Sequence, residues 1–264
     1  MPTKDNLILK TGQRVLTVWD GMKDFGMFVQ SIMNSFKSLR FLRLRSINDI
    51  VINQTLFTGV HALTFVIFIA LLIGGIVIIQ AMTQFPKYGI DSYVGNLLVI
   101  IVAREVGPLL TAVIVISRSG SAITAEIATQ KQNKEILAME IMGIDTSLYI
   151  VFPRIIASIL AIFSLMVIFD IVAFIGGYII SQLQVFIAVD VFAEIIIEAV
   201  SLKDLFSTLL KSIIYGILIP LISCYYGFKP NSQFEIPIFV SKAVIRTLVI
   251  IFVINGAISV LFYL

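Results

Sequence analysis

Residues 62–82 read ALTFVIFIALLIGGIVIIQAM, 21 positions without one charged side chain. As a helix rising ~1.5 Å per residue the stretch is about 32 Å long, enough to cross a hydrocarbon core of roughly 30 Å. Comparable apolar blocks follow at 97–117, 148–189, 206–223 and 244–264. The chain of 264 residues is 59% hydrophobic and 13% charged, with a mean hydropathy of +1.03, whereas a soluble domain carries about 25% charged residues. An all-α integral membrane fold is expected, and a secreted enzyme or a cytosolic globule is excluded. One cysteine, Cys224, leaves no disulfide framework or multi-cysteine metal site, and one histidine, His61, removes most histidine-based chemistry. The first apolar stretch begins too far along for a removable signal peptide.

The block 148–189 decides the topology, because its 42 residues suit either a tight two-helix hairpin or one long or kinked helix. Charge arbitrates. With five spans and the N-terminus inside, the inner segments carry Lys4, Lys10, Arg14, Lys23, Lys37, Arg40, Arg43, Arg45, Arg118, Lys131, Lys134, Lys229 and Lys242, and the outer ones only Lys87 and Lys203. Splitting the block would move Lys229 and Lys242 outside and bring Asp190, Glu194, Glu198 and Asp204 inside, weakening the positive-inside bias. Five spans are expected, with the N-terminus cytoplasmic and the C-terminus on the far side. The net charge of +3, with eight of 19 basic residues in the first 45 positions, reads as topology rather than nucleic-acid binding.

Before the spans, Val15, Val18, Trp19, Met22, Phe25, Val29, Ile32, Phe36 and Leu39 recur at helical spacing. This predicts an amphipathic helix over 13–39 lying in the inner interface plane, with a helix packed on a soluble partner as the alternative. Residues 1–61 thus form a cytoplasmic N-terminal region and 62–264 a five-span membrane domain.

Inside 97–117, LLVIIVAREVGPLLTAVIVIS, stand Arg104 and Glu105. Each costs roughly 2.5–3.5 kcal/mol at a helix centre facing lipid, so both should face protein or water. Neighbouring residues point about 100° apart, so each needs its own partner. Pro108 supplies no N–H for the Arg104 carbonyl, which predicts a kink or a hydrated carbonyl. These three residues mark a polar interior site; a structural ion pair with Asp170 or Lys211 is the competing reading. His61 and Tyr225, Tyr226 and Tyr263 read as interface-level side chains, Cys224 as a packed thiol, and Asp170 as a kink-stabilising acceptor or a partner of Lys211.

Beyond the second span, Ser117, Ser121 and Ala125, and also Gly120, Thr124 and Ala128, repeat every four residues. Small residues at this spacing let helices approach closely, within one chain or between two. The loop TQKQNKEILAMEIMGIDTSLY then predicts a short amphipathic helix over about 133–143. Asn133 can cap it, Gly143 can end it in a left-handed turn, and Asp145 or Thr146 can cap the next helix. Its Ile136, Leu137, Met139, Ile141 and Met142 are apolar, its Lys134, Glu135 and Glu140 polar. Such a helix suits docking into a groove on a soluble partner, and equally a membrane-surface loop.

The stretch AREVGPLLTAVIVISRSGSAITAEIATQKQNKEILAMEIMGIDTSLYIVFPRIIA resembles the signature region of the MlaE/YrbE permeases, membrane subunits of ABC transporters that work with MCE proteins. Arg104, Glu105, Gly107, Pro108, Arg118, Gly120, Glu126, Glu135, Glu140, Met142, Gly143, Asp145, Pro153 and Arg154 fit that pattern. Gly59, Gly74, Gln80, Asp170, Gly176, Gly177, Lys211, Gly216 and Cys224 extend it. The resemblance implies a homodimer of five-span permeases, two ATPase subunits docked on cytoplasmic coupling helices, an MCE-domain protein on the far side, and a lipid, usually a phospholipid, held between the protomers. It implies ATPase coupling through Glu135, Ile136, Met139, Glu140, Ile141, Met142 and Gly143, a supporting polar network of Arg118, Glu126, Asp170 and Lys211, and a possible STAS-type small subunit. The implied location is a bacterial inner membrane, or alternatively a plastid inner envelope.

The chain holds no G-x-x-x-x-G-K-[ST] run, so ATP and Mg²⁺ are expected on a partner ATPase and no cofactor or catalysis on this chain. An interior cavity among these apolar residues would suit acyl chains, with Arg104 as phosphate contact and Glu105 as polar or gating partner. The rival readings are an ion-coupled secondary transporter using Arg104, Glu105 and Asp170 as a relay, and a non-transporting scaffold.

Overall fold

A computed structural model of the chain describes residues 19, 21, 23–34, 44–84, 99–184 and 188–263. The rest of the expected 13–39 helix lies outside the described residues. In a bilayer every backbone N–H and C=O must pair within the protein, which leaves the helix as the element open to apolar runs of this length. Among the described residues all regular structure is helical. Helix α1 covers 23–34. Helix α2 is Leu44–Gln84, and α3 is the span Val99–Gln132. The short α4, Glu135–Ile141, leads to α5, Phe152–Gln184, entered through a π-helical turn at Ser147–Val151. Helices α6, Val189–Ala199, α7, Leu202–Gly227, and α8, Ile236–Tyr263, complete the chain. Five of these, α2, α3, α5, α7 and α8, are long and apolar enough to cross a membrane.

Helices α2 and α5 lie along each other at glycine contacts. A Cβ at Gly74 would sit 1.9 Å from the Ala173 carbonyl oxygen, and one at Gly176 would sit 2.6 Å from that of Leu71. Helix α7 closes on α5 the same way, since a Cβ at Gly216 would lie 2.5 Å from Ile159 Cα. The core so enclosed holds Val66, Val102, Val115, Ile162, Met166, Phe169 and Tyr215. Phe65, Phe68, Ile76, Phe252 and Val253 face outward, as they should in a bundle whose solvent is hydrocarbon.

Several local expectations are corrected. The hairpin reading of 148–189 falls and the single long helix holds: α5 runs unbroken over Phe152–Gln184, and α6 is a separate helix with no buried residue. The helices outrun the apolar blocks at the polar ends, so His61 lies well inside α2 rather than at a helix start. Asn133 closes α3 instead of capping α4; Lys134, held at φ 61°, turns the chain between them. Gly143, at φ 76°, does end the α4 turn in the left-handed region. Thr146 precedes the next helix without capping it, because its hydroxyl donates to Glu140 at 3.4 Å.

Helix α1 packs Phe25, Phe28, Val29 and Ile32 onto the bundle and leaves Met27 and Met33 exposed, as is Trp19 before it. Tyr225 and Tyr226, expected at a membrane interface, are buried at the end of α7. The Phe25 ring meets Tyr225 edge-on at 5.1 Å, and the Tyr225 hydroxyl donates to the Gly21 carbonyl at 3.3 Å.

Candidate functional site

The first eight residues of α3, Val99–Val106, run as a π-helix and contain Arg104 and Glu105. Such wide turns concentrate at functional sites. Pro108 leaves the Arg104 carbonyl without an α-helical donor, and the ammonium of Lys211 on α7 takes that place, donating to it at 2.5 Å. Lys211 has 0% of its surface exposed. Its Nζ also donates to Ser259 Oγ at 3.2 Å and lies 3.9 Å from Glu105 Oε1. Three oxygens around one ammonium offset a desolvation cost that is otherwise several kcal/mol.

Arg104 and Glu105 each have their own partner, as their angular separation demands. Arg104 Nε lies 2.8 Å from Asp204 Oδ1, and Nη2 donates to Oδ2 at 3.3 Å. The Tyr263 hydroxyl donates to the same carboxylate at 2.8 Å, and its ring lies 4.5 Å from the guanidinium, a cation–π arrangement. Asp204 is held by a capping box: the Ser201 N–H donates to its Oδ2 at 2.8 Å at the start of α7. Glu105 Oε2 accepts from Asn255 Nδ2 at 2.8 Å, and Asn255 Oδ1 accepts from the Tyr215 hydroxyl at 2.8 Å.

Asp170 does not pair with Lys211. Its Oδ1 is buried without a hydrogen-bond partner, pressed on Gly107, where a Cβ would stand 2.8 Å from it. Asp170 lines a cavity of 460 Å³ between α5 and α7 whose other polar wall residues, among the described ones, are Asp204 and Thr208. Arg104, Glu105 and Pro108 do not line it. Asp204, the partner of Arg104, does, so the polar network meets the apolar cavity through a single carboxylate.

The other expected network residues lie elsewhere. Arg118 donates to the His61 carbonyl and faces the Phe65 ring, tying α3 to α2. Glu126 pairs with Arg154 at 2.8 Å. Of the two small-residue rows of α3, the one with Gly120 and Thr124 packs within this chain, where Thr124 Oγ1 donates to the Ser223 carbonyl at 3.1 Å and a Cβ at Gly120 would meet Ser223 Oγ at 3.2 Å, while Ser117 of the other row is exposed. On α4, Ile136 is buried and Met139 packs inward. Leu137, Ile141 and Met142 are exposed, Ile141 to 78%. Lys131 and Gln132 at the end of α3 donate to the carbonyls of Phe228 and Pro230, at 2.8 Å and 3.1 Å, so the loop before α8 is fastened beside α4.

Sequence reasoning missed Asp204, Tyr215 and Asn255 and took Tyr263 for a membrane anchor. Two signals were present. Ser201-Leu-Lys-Asp204 is a capping-box pattern opening an apolar run, and a lone Asn inside a membrane helix needs an interhelical partner.

A family model described as Permease MlaE matches residues 51–261. A "Probable ABC transporter permease protein" of Rickettsia felis is 27% identical over 98% of both chains. A protein of the same description from Rickettsia typhi is 30% identical over 76% of this chain and 80% of its own. The chloroplastic protein TRIGALACTOSYLDIACYLGLYCEROL 1 of Arabidopsis thaliana is 27% identical over 78% of this chain and 59% of its own.

Proposed function

The chain belongs to the MlaE permease family and is the multi-pass membrane permease of an ABC transporter, and on that premise we propose that its cargo is a lipid, most simply a phospholipid. Such a permease works with an ATPase subunit, which binds Mg²⁺ and hydrolyses ATP. The observation that carries the lipid reading is the junction of a charged network at membrane depth with an apolar cavity of 460 Å³. Acyl chains suit the cavity, and Arg104, with 21% of its side chain exposed, is the phosphate-binding group. An incoming phosphate competes with Asp204 for the guanidinium by charge-assisted hydrogen bonds. Glu105, held by Asn255 and faced by Lys211, is the gating partner, and Pro108 fixes the turn.

Helix α4 is the coupling helix, with Leu137, Ile141 and Met142 as the face that enters the ATPase. Two permease copies, two ATPases and an MCE-domain protein complete the assembly, with α4 on the cytoplasmic side and a STAS-type subunit as an optional addition. The test is copurification with the cognate ATPase followed by lipid extraction and lipid-stimulated ATP hydrolysis. Ile141→Asp is expected to release the ATPase while the permease stays folded. Arg104→Ala is expected to keep the complex and lose lipid stimulation by about tenfold or more. A purified complex that retains no amphiphile and hydrolyses ATP indifferently to lipid overturns the cargo assignment.

A further inference from the structure

Behind α4, on the side away from its exposed face, lies a second cavity of 370 Å³ bounded by α2, α3, α4 and α5, within the size range of small-ligand sites. Three buried polar atoms of its lining residues have no hydrogen-bond partner: Gln54 Nε2, Gln130 Oε1 and Arg154 Nη1. Buried polar groups are nearly always satisfied, so three orphans around one cavity point to a ligand. Arg154 is only 7% exposed. Its Nη2 is engaged by Glu126 at 2.8 Å, and its guanidinium also neighbours the Cys224 thiol, a weak acceptor. Glu135 and Met139 of α4 close the cavity, while Leu137 and Ile141 point the opposite way. The socket therefore faces the bundle, not the surface offered to a soluble partner. It lies where the membrane spans built on α2 and on α5 with its entering turn begin, at Ile50 and Tyr149, the end of the span that a lipid headgroup would reach.

The donors and acceptors select the chemistry. Arg154 Nη1 and Gln54 Nε2 are donors for phosphate oxygens. Gln130 Oε1 and the carboxylates of Glu126 and Glu135 are acceptors for a cation. One guanidinium against two carboxylates disfavours a purely anionic headgroup. A quaternary ammonium cannot donate the hydrogen bonds these oxygens take. We propose that this socket binds a phosphate ester bearing a primary ammonium, supplied as the headgroup of a membrane phosphatidylethanolamine that braces the coupling helix. The site is separate from the Arg104 network and stands whether or not lipid is the cargo.

The test reconstitutes the full chain in nanodiscs of equal phosphatidylethanolamine and phosphatidylcholine with matched acyl chains, extracts it gently, and counts retained lipids by native mass spectrometry. Phosphatidylethanolamine is expected to be retained about tenfold over phosphatidylcholine. Gln54→Leu and Arg154→Lys should bring the ratio to within about twofold, whereas Gly256→Ala, whose Cβ meets nothing within 4 Å, should leave it unchanged; thermal melting reports folding, and Gln130→Leu replaces any variant that fails to fold. Equal retention of the two lipids overturns the proposal. So does a preference that survives the socket variants, or one abolished by Arg104→Ala, which would place the headgroup at the cargo site. Soluble glycerophosphoethanolamine separates the sources. Its displacement of retained lipid supports headgroup recognition, while its binding without any lipid retention assigns a soluble ligand and overturns the membrane form.

Discussion

Where α2 meets α5, glycines bring backbone against backbone, and among the described residues no ion pair joins the two helices. Where α3 meets α7 and α8, Arg104, Glu105, Asp204, Lys211 and Asn255 are laced through the same depth of the bundle. Lipid gives helices no hydrophobic reason to associate, so both solutions are open, close contact of small residues or interhelical polar bonds. They differ in what they permit. A glycine seam has one register and resists sliding. A network of charges has alternative partners, since an ammonium that faces three oxygens can favour any one of them, and on the proposed function a phosphate would compete with Asp204 for Arg104. The rigid seam is scaffold and the laced one is where work can be done.

The sharpest way to break this contrast is Gly74→Ala. Its Cβ would fall 1.9 Å from a backbone oxygen that cannot rotate away, so a loss of more than about 3 kcal/mol is expected, read as loss of folded yield and of thermal stability in detergent. Gly256→Ala, which meets nothing within 4 Å, is the neutral control; equal behaviour of the two would deny the seam its role. In the charged interface, Lys211→Met should cost about 1–3 kcal/mol by leaving the Arg104 carbonyl unsatisfied, with part of the loss recovered by adding Glu105→Gln. Failure of that rescue would mean Lys211 serves the carbonyl alone. Asn255→Leu should cost about 1–2 kcal/mol through the loss of both its bonds. The smallest effects lie at the α4 end. Gly143→Ala, forced to φ 76°, should lower stability by about 1 kcal/mol, measured by thermal unfolding with and without the ATPase.

The spans were legible because a bilayer imposes one rule on composition and length, and residues 62–82 meet it by themselves. The charges in α3 were legible for the same reason, as was the need of each for a separate partner. Which partners they would find was not, because Asp204, Lys211, Asn255 and Tyr263 reach them from sequence distances of up to 159 positions, a matter of how helices rotate against one another. Asp204 was hidden further by its apparent place in an acidic connecting stretch, when the helix in fact begins before it. Asn133 misled in the opposite sense: a good capping residue lost its role to a neighbouring Lys134 in a left-handed turn. The exposed face of α4 was half legible, since periodicity separates apolar from polar residues but does not say that Ile136 and Met139 face the bundle while Ile141 faces out.

The central nine residues of α3, Gly107–Val115, are bracketed by wide turns at Val99–Val106 and Ile116–Gly120. Each wide turn accommodates surplus backbone relative to an α-helical course, and passing one residue through a turn swings the side chains beyond it by about 100°. Arg104 and Glu105 stand inside the first of these slack couplings, so a residue passed through it turns the guanidinium and carboxylate about the axis while Gly107–Val115 stays moored to its neighbours.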